Sequence, residues 1–359
     1  MKDFRFLKNI TGADPAVCEE ADSFLQSADW GRFKSHFGWK ANAFTVDWEC
    51  GTGSLLVLVR RIAPGITMAY IPWGPEMPAA FPDDSFLRSQ ASAELACALK
   101  PLLSGPAFIR FDPPWYPKAA GDKPENFPPG LPAPFKRAAA DIQPPDTVLI
   151  DLMLPAEQIL AAMKPKWRYN INLASKHGVS INDAGEKGID LFYRLLTETA
   201  SRDGIAIHNI DYYRTLFSVI NKNEKIPHSL KVYTAVHENE DLAAIMVLFR
   251  GKQATYLYGA SSNYKRNLMA PYLLQWKAMQ DAKAAGCLQY DLFGIPPNGD
   301  PHHPMAGLYR FKTGFGGQIV HRPGSWDYPC KPVLYTLFGA AESFRKKLRD
   351  SRKRNIRRI

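Results

Sequence analysis

Two stretches of the chain repeat one order of hydrophobic and polar positions. In the first, Leu55 to Arg60 (LLVLVR) and Thr67 to Trp73 (TMAYIPW) are apolar runs of strand length. Residues 85–103 then place Phe86, Leu87, Leu95, Leu99 and Leu102 at mostly helical spacing. A short apolar run, Ala107 to Asp112 (AFIRFD), follows and is stopped by Pro113 and Pro114. In the second stretch, residues 244–250 (AIMVLFR) and 254–259 (ATYLYG) predict strands, and 271–285 predict a helix that Gly286 ends. Residues 288–293 (LQYDLF) predict a last strand, closed by Gly294, Pro296 and Pro297. Strand, strand, helix, strand, an aspartate and then proline thus occur twice. This order predicts an α/β (α+β) chain built by tandem duplication, although α/β proteins alternate such elements in any case.

Between the two stretches, residues 113–145 hold ten prolines, which exclude helix interiors and central strands. Trp115, Tyr116, Phe127 and Phe135 favour partial order there. Beyond it, 147–152 (TVLIDL) predicts a strand and 155–176 a helix with a break near Pro165. That helix carries Lys164, Lys166, Arg168 and Lys176 beside Trp167 and Tyr169. Such a set either touches phosphates or forms a solvated amphipathic face.

Composition narrows the class. With 46% hydrophobic and 22% charged residues over 359 positions, the chain is globular and long enough for two domains. The net charge of +10 is uneven, because residues 345–359 (RKKLRDSRKRNIRRI) hold nine basic residues and one acid. The rest of the chain is nearly neutral, so the charge does not mark a general nucleic-acid binder. The tail is a solvated end, a hold on nucleic-acid phosphates, or a contact with anionic lipid. Five cysteines without a CxxC pair fit a reducing cytoplasm. The N-terminus lacks the apolar stretch of a secretory signal, and no run approaches the ~20 apolar residues of a spanning helix. The expected location is cytoplasmic, with peripheral contact at the inner membrane face.

Familiar catalytic signatures are missing: there is no GxSxG elbow, HExxH or P-loop. The adjacent pair His302-His303 cannot offer both rings to one metal as an i,i+4 pair can, so no metal site is expected. A duplicated strand-strand-helix-strand unit suggests acyltransferases of the GNAT type, which bind the coenzyme A pyrophosphate on a glycine-rich turn opening a helix. The corresponding stretch, SNYKRNLMA (262–270), has no glycine, which argues against a coenzyme A cofactor. The densest signal is GLYRFKTGFGG (307–317). Its glycines allow a tight turn or close approach to a ligand, and Lys312 between Phe311 and Phe315 is a cation in apolar surroundings. There it can stabilise developing negative charge, or it is a snorkelling lysine at a bulge or turn.

The runs YDLFGIPP (290–297), GLYRFKTGFGG (307–317) and Ser325-Trp326-Asp327 closely resemble the FemAB/FemX family of peptidyltransferases, which add amino acids from aminoacyl-tRNA to peptidoglycan precursors. Also similar are FLQSADWGRFKSHFGW (24–39), IRFDPPW (109–115), KWRYNINLASKHGV (166–179), TETASRDGI (197–205) and YGASSNYKRNLMAPYLLQW (258–276). The resemblance implies two tandem GNAT-like domains facing a cleft, over about 1–150 and 151–320, with 321–344 returning to the first and 345–359 a basic tail. No heptad insertion is present, so the compact type without a coiled-coil arm is expected. It further implies that Lys312 stabilises the oxyanion formed on the aminoacyl ester, that Phe311 lines the acyl-donor channel, and that Asp112 lies near the acceptor peptide. Lys34 would contact the precursor's diphosphate, and Tyr212 and Tyr258 the precursor itself. The family's phosphate-holding arginine after Arg202-Asp203-Gly204 is replaced here, with His208 nearest its position. A neutral imidazole is a weaker phosphate ligand than a guanidinium. The implied partners are aminoacyl-tRNA and either UDP-MurNAc-pentapeptide or lipid II, bound by a monomer without cofactor. The rivals are a GNAT-like enzyme using another acyl donor on a different envelope precursor, and a binding protein for RNA or membrane that has lost its chemistry.

Overall fold

A computed structural model describes residues 5–116, 130–223 and 228–340. Phe127, much of the proline-rich segment and the basic tail at 345–359 lie outside the described residues. The chain forms two compact units. One comprises the chain up to Pro145 together with Arg322 onward; the other is Asp146–His321. The boundary falls at Pro145 rather than near 150, because Asp146 already pairs in the second unit's sheet.

Each unit is a mixed seven-stranded sheet with helices. In the first, β1 (Leu7–Ala13), β2 (Lys40–Trp48), β3 (Gly51–Ala63) and β4 (Ile66–Ile71) are antiparallel neighbours, with α1 (Ala28–Ser35) between β1 and β2 in sequence. The helix α2 (Ser85–Leu102) then crosses over to β5 (Phe108–Phe111), parallel to β4. The second unit repeats the plan after α3 (Ala156–Ala162), α4 (Pro165–Lys176), α5 (Gly188–Asp203) and α6 (Ile210–Asn221). Its β8 (Ser180–Asp183), β9 (His228–His237), β10 (Glu240–Arg250) and β11 (Gln253–Ser261) are antiparallel, and α7 (Ala270–Ala284) crosses to β12 (Gln289–Asp291), parallel to β11. The fold is thus the expected pair of GNAT-like α/β units, and the longest described helix, α2, has 18 residues. No described helix is long and apolar enough to cross a membrane.

The connections between units are reciprocal. β6 (Lys136–Arg137) lies at the edge of the first sheet, and the next strand, β7 (Asp146–Asp151), sits inside the second sheet beside β12. After α8 (Ala306–Thr313), β13 (Gln318–His321) lies at the edge of the second sheet, and the next strand, β14 (Trp326–Pro329), sits inside the first beside β5. The second unit is therefore continuous in sequence, whereas the first sheet receives an interior strand from beyond the whole of the second unit.

The apolar runs behave as expected: residues 55–58 and 242–248 are buried along their length, as strands covered on both faces must be. Trp115 and Phe135 from the proline-rich segment are also core residues of the first unit. Helix α2 departs from expectation. Phe86 and Leu102 are about half exposed, and the buried stripe is Ser89, Ala91, Ser92, Leu95, Ala96 and Leu99. Small residues let this helix approach the sheet closely, which a count of large apolar residues does not register.

Candidate active site

The GLYRFKTGFGG stretch is the end of a helix rather than a bulge. Lys312 lies in the last turn of α8 and is only 6% exposed. Helix ends leave carbonyls without intrahelical partners, and α4 supplies donors here. The Trp167 indole donates to the Phe311 carbonyl at 2.9 Å, and the Lys164 amide to the Gly314 carbonyl at 2.9 Å. A Cβ at Gly314 would run into the Trp167 ring, and Gly316 and Gly317 take left-handed φ of 80° and 83° as the chain leaves the helix. Trp167 is therefore structural, and Arg168 donates to the Ala161 and Met163 carbonyls. Tyr169, by contrast, is exposed.

The Lys312 ammonium points into the unit. It donates to the Phe293 carbonyl at 3.3 Å and the Gly294 carbonyl at 2.8 Å, and stands 5.1 Å from the centre of the Tyr256 ring. Burial pushes its pKa down to about 7, and the nearby Asp291 carboxylate partly offsets this. Asp291, fully buried, accepts on one oxygen from the Thr147 hydroxyl and from the Phe293 amide at 2.7 Å. It thereby fixes the turn, with Phe293 at φ 58°, whose carbonyls hold Lys312. Its other oxygen has no hydrogen-bond partner among the described residues. Phe311 packs at 5.1 Å from Phe315 and 5.3 Å from Tyr272.

A second cluster occupies the other side of β11. A bulge between the pairs Met246–Tyr258 and Val247–Tyr256 breaks the alternation of the strand. Tyr256 joins the core with Val247 and Leu274, while Tyr258 meets Tyr213 of α6 edge-on at 5.1 Å. Tyr212 is hydrogen-bonded to Tyr258, and His208 stacks on Tyr212 with centroids 3.8 Å apart. Burial raises the pKa of both Tyr212 and Tyr258. Arg202 is engaged differently. It donates to the Ser261 carbonyl at 3.1 Å and the Asn263 side-chain oxygen at 2.9 Å, which holds the turn between β11 and α7.

In the first unit, Asp112 follows β5 directly and is 3% exposed. It accepts from the Tyr70 and Ser325 hydroxyls, and from the Gln143 amide at 3.3 Å. Burial raises its pKa to about 6 against the pull of those donors. Lys34, on α1, stands 5.4 to 5.9 Å from the rings of Trp30, Phe33 and Trp39. Its pKa is lowered to about 8, first by burial and then by repulsion from Arg60. Arg60 itself stacks over Trp39 at 4.9 Å. Trp39 is 6.0 Å from Tyr70, so Lys34 and Asp112 are joined through two aromatic side chains.

The model of the FemAB family matches residues 133–229 and 219–343, together more than half of the chain. The chain belongs to the FemAB family. Among its relatives, the lipid II:glycine glycyltransferase of Staphylococcus aureus is 23% identical over 384 residues, covering 87% of this chain and 89% of that protein. The protein of the same name from Staphylococcus saprophyticus is 24% identical over 277 residues, covering 61% of this chain and 65% of its own length. The crystal structure of FemX matches the fold with a TM-score of 0.75 at 19% identity, covering 92% of this chain and all of that one. A C-terminal domain of a lysylphosphatidylglycerol synthetase from Agrobacterium fabrum shares the fold more loosely, with a TM-score of 0.50 at 14% identity.

Within this FemAB protein, the residues singled out by sequence thus form three groups. Lys34 joins Asp112, Lys312 joins Phe311, and Tyr212 joins Tyr258 and His208; Arg202 stands with the turn after β11. Sequence reasoning left out Asp291, Arg60 and the chemistry of Ser325 and Asp327. Asp327 forms a buried, two-pronged ion pair with Arg110 at 2.7 and 2.8 Å, which clamps β14 to β5. The repeated strand-end aspartate was the available signal for Asp291; nothing local marks Arg60.

Proposed function

We propose that the chain is an aminoacyltransferase that moves an amino acid from aminoacyl-tRNA onto the stem peptide of a peptidoglycan precursor. The observation that carries this reading is the Lys312 ammonium. Two of its three N–H donors are directed at the carbonyls of Phe293 and Gly294, and the third remains for a substrate oxygen. The reaction needs such a group. An amine of the stem peptide attacks the ester carbonyl, negative charge develops on the carbonyl oxygen, the C–N bond forms and the C–O bond to the ribose breaks. The amine's proton ends on the released ribose hydroxyl. No serine or cysteine nucleophile is required, because the acceptor is itself the nucleophile. A cation held in a low-dielectric site by fixed carbonyls stabilises the developing oxyanion without reorganising.

Family membership and the names of the staphylococcal relatives support a peptidoglycan acceptor. In the first unit, Lys34 and Arg60 flank Trp39 as two cations suited to a diphosphate, and a bound dianion would hold Lys34 in its charged form. Asp112, buried at the end of β5, is read as the carboxylate near the acceptor peptide. The test is to incubate the purified protein with charged tRNAs and either UDP-MurNAc-pentapeptide or lipid II, and to follow the amino acid by mass spectrometry. Mass gain on one acceptor supports the reading and identifies which is used. No transfer to either, with a full set of charged tRNAs, overturns it.

A further inference from the structure

The acid that fixes the turn around Lys312 carries more than the turn requires. Asp291 is fully buried, and a single oxygen meets both of its hydrogen-bond donors, the Thr147 hydroxyl and the Phe293 amide at 2.7 Å. An asparagine carbonyl could accept both bonds, since neither donor is charged. The other oxygen has no hydrogen-bond partner among the described residues. Asp112, at the matching place in the first unit, is different. The Ser325 hydroxyl donates to one of its oxygens, and the Tyr70 hydroxyl and the Gln143 amide to the other. A buried carboxylate with one oxygen unsatisfied is costly unless a cation compensates it.

Lys312 is such a cation, and its ammonium donates to the Phe293 and Gly294 carbonyls of that turn. β11 presents the Tyr256 ring to it at 5.1 Å, and burial keeps this phenol neutral by raising its pKa. The Tyr290 and Tyr272 phenols of β12 and α7 are held neutral in the same way. Arg310 of α8 and Lys164 of α4 are exposed. Among the described residues, Asp291 is thus the acid that works against the burial of Lys312. We infer that Asp291 is the positioning residue for Lys312: one oxygen fixes the turn whose carbonyls aim the ammonium, and the carboxylate's uncompensated charge holds the lysine in its cationic form. For turnover this builds on the acyl-transfer reading. A neutral lysine could not stabilise the oxyanion, so without the acid the site would be correctly charged only at lower pH.

The decisive measurement needs no turnover. Full-length protein carrying lysine isotopically labelled at Cε is titrated by NMR, with the Lys312 signal identified by its absence from Lys312→Met. The wild-type midpoint is expected at about 7. In Asp291→Asn it should fall by about one pH unit, because a nearby opposite charge is gone. Thr147→Val disturbs the same turn but leaves the charge, so its midpoint should not fall. Asp291→Ser also removes the charge and carries the test if the asparagine variant does not fold. An unchanged midpoint on loss of the charge, or an equal drop in Thr147→Val, would overturn the inference, whether or not the protein transfers amino acids. Where transfer is observed, the alkaline limb of kcat/KM should move down with the midpoint in Asp291→Asn. In the Lys312→Arg background the cation cannot titrate, and the same asparagine should leave the shape of the profile unmoved. A merely structural acid would instead lower the rate at every pH in both backgrounds.

Discussion

The two units share a plan yet surround its acid differently. Each ends its parallel crossover strand on a buried aspartate, Asp112 after β5 and Asp291 in β12. In each, a hydroxyl from the strand that follows a passage of the chain between units, or from just before it, reaches that carboxylate: Ser325 before β14, and Thr147 in β7. The surroundings then diverge. In the first unit Tyr70 and the Gln143 amide complete a polar shell around a buried carboxylate. In the second, the acid is bound to its own turn and leaves one oxygen unpartnered, while a lysine from α8 is the group of interest. The shared plan thus keeps a buried acid at the end of each crossover strand, and in the second unit a lysine from α8 stands beside it.

This contrast can be broken at several points. The largest effect on stability is expected in the first unit, whose donated strand is clamped by the Arg110–Asp327 pair. Asp327→Ala removes the carboxylate from a buried two-pronged ion pair and should cost about 3–5 kcal/mol in urea unfolding. A loss below about 1 kcal/mol would mean that the clamp is incidental.

Lys312→Met keeps bulk and removes the charge. It should lower kcat by 10²–10³-fold, about 3–4 kcal/mol of barrier, without destabilising the fold. The folded pKa of about 7 lies below the ordinary 10.5, so the unfolded chain binds more protons between those values. That contribution makes stability rise with pH across the window, and thermal melts of the Met variant should lack it. Unimpaired turnover would remove Lys312 from the chemistry.

The same shift yields a kinetic signature. Lys312 loses its proton above pH about 7, whereas an arginine there would stay charged. The ratio of wild-type kcat/KM to that of Lys312→Arg should fall about tenfold per pH unit above that point. A flat ratio would show that the ammonium is not the titrating form that matters.

The smallest expected effects compare the two pivots directly. Ser325→Ala strips Asp112 of one donor and also leaves the Ile142 amide, which the Ser325 oxygen accepts at 3.1 Å, without that partner. Thr147→Val removes only the hydroxyl on Asp291. Losses of about 2 and about 1 kcal/mol are expected, measured by chemical denaturation. The reverse order would mean that the second pivot carries more of its unit than the first.

Much of this plan was legible in the chain because strands covered on both faces, such as 55–58 and 242–248, must be continuously apolar. Edge and half-exposed strands carry no such mark. β1 and β8 bury few residues, β2 mixes buried and half-exposed positions, and β6 is two residues long. The Lys312 motif was visible as composition, but its glycines read as a turn, because the Trp167 ring that crowds Gly314 comes from 147 residues upstream. For the same reason Asp327 could be seen as part of a motif and not as the partner of Arg110, 217 residues away.

The reciprocal connections also set a schedule for synthesis. Among the described strands β6 pairs only with β14, which lies between it and β5. A ribosome must therefore deliver residues 326–329 before the first unit's sheet can close, although that unit's other strands were made long before. Domains usually fold in the order they are synthesised. Here the N-terminal unit is the one left waiting, with the edge of β5 open until nearly the whole chain has emerged. A nascent chain arrested just short of Trp326 should accordingly hold a protected second sheet and an unfinished first one, and a gene cut after Pro145 would strip the first unit of β14 while leaving the second whole.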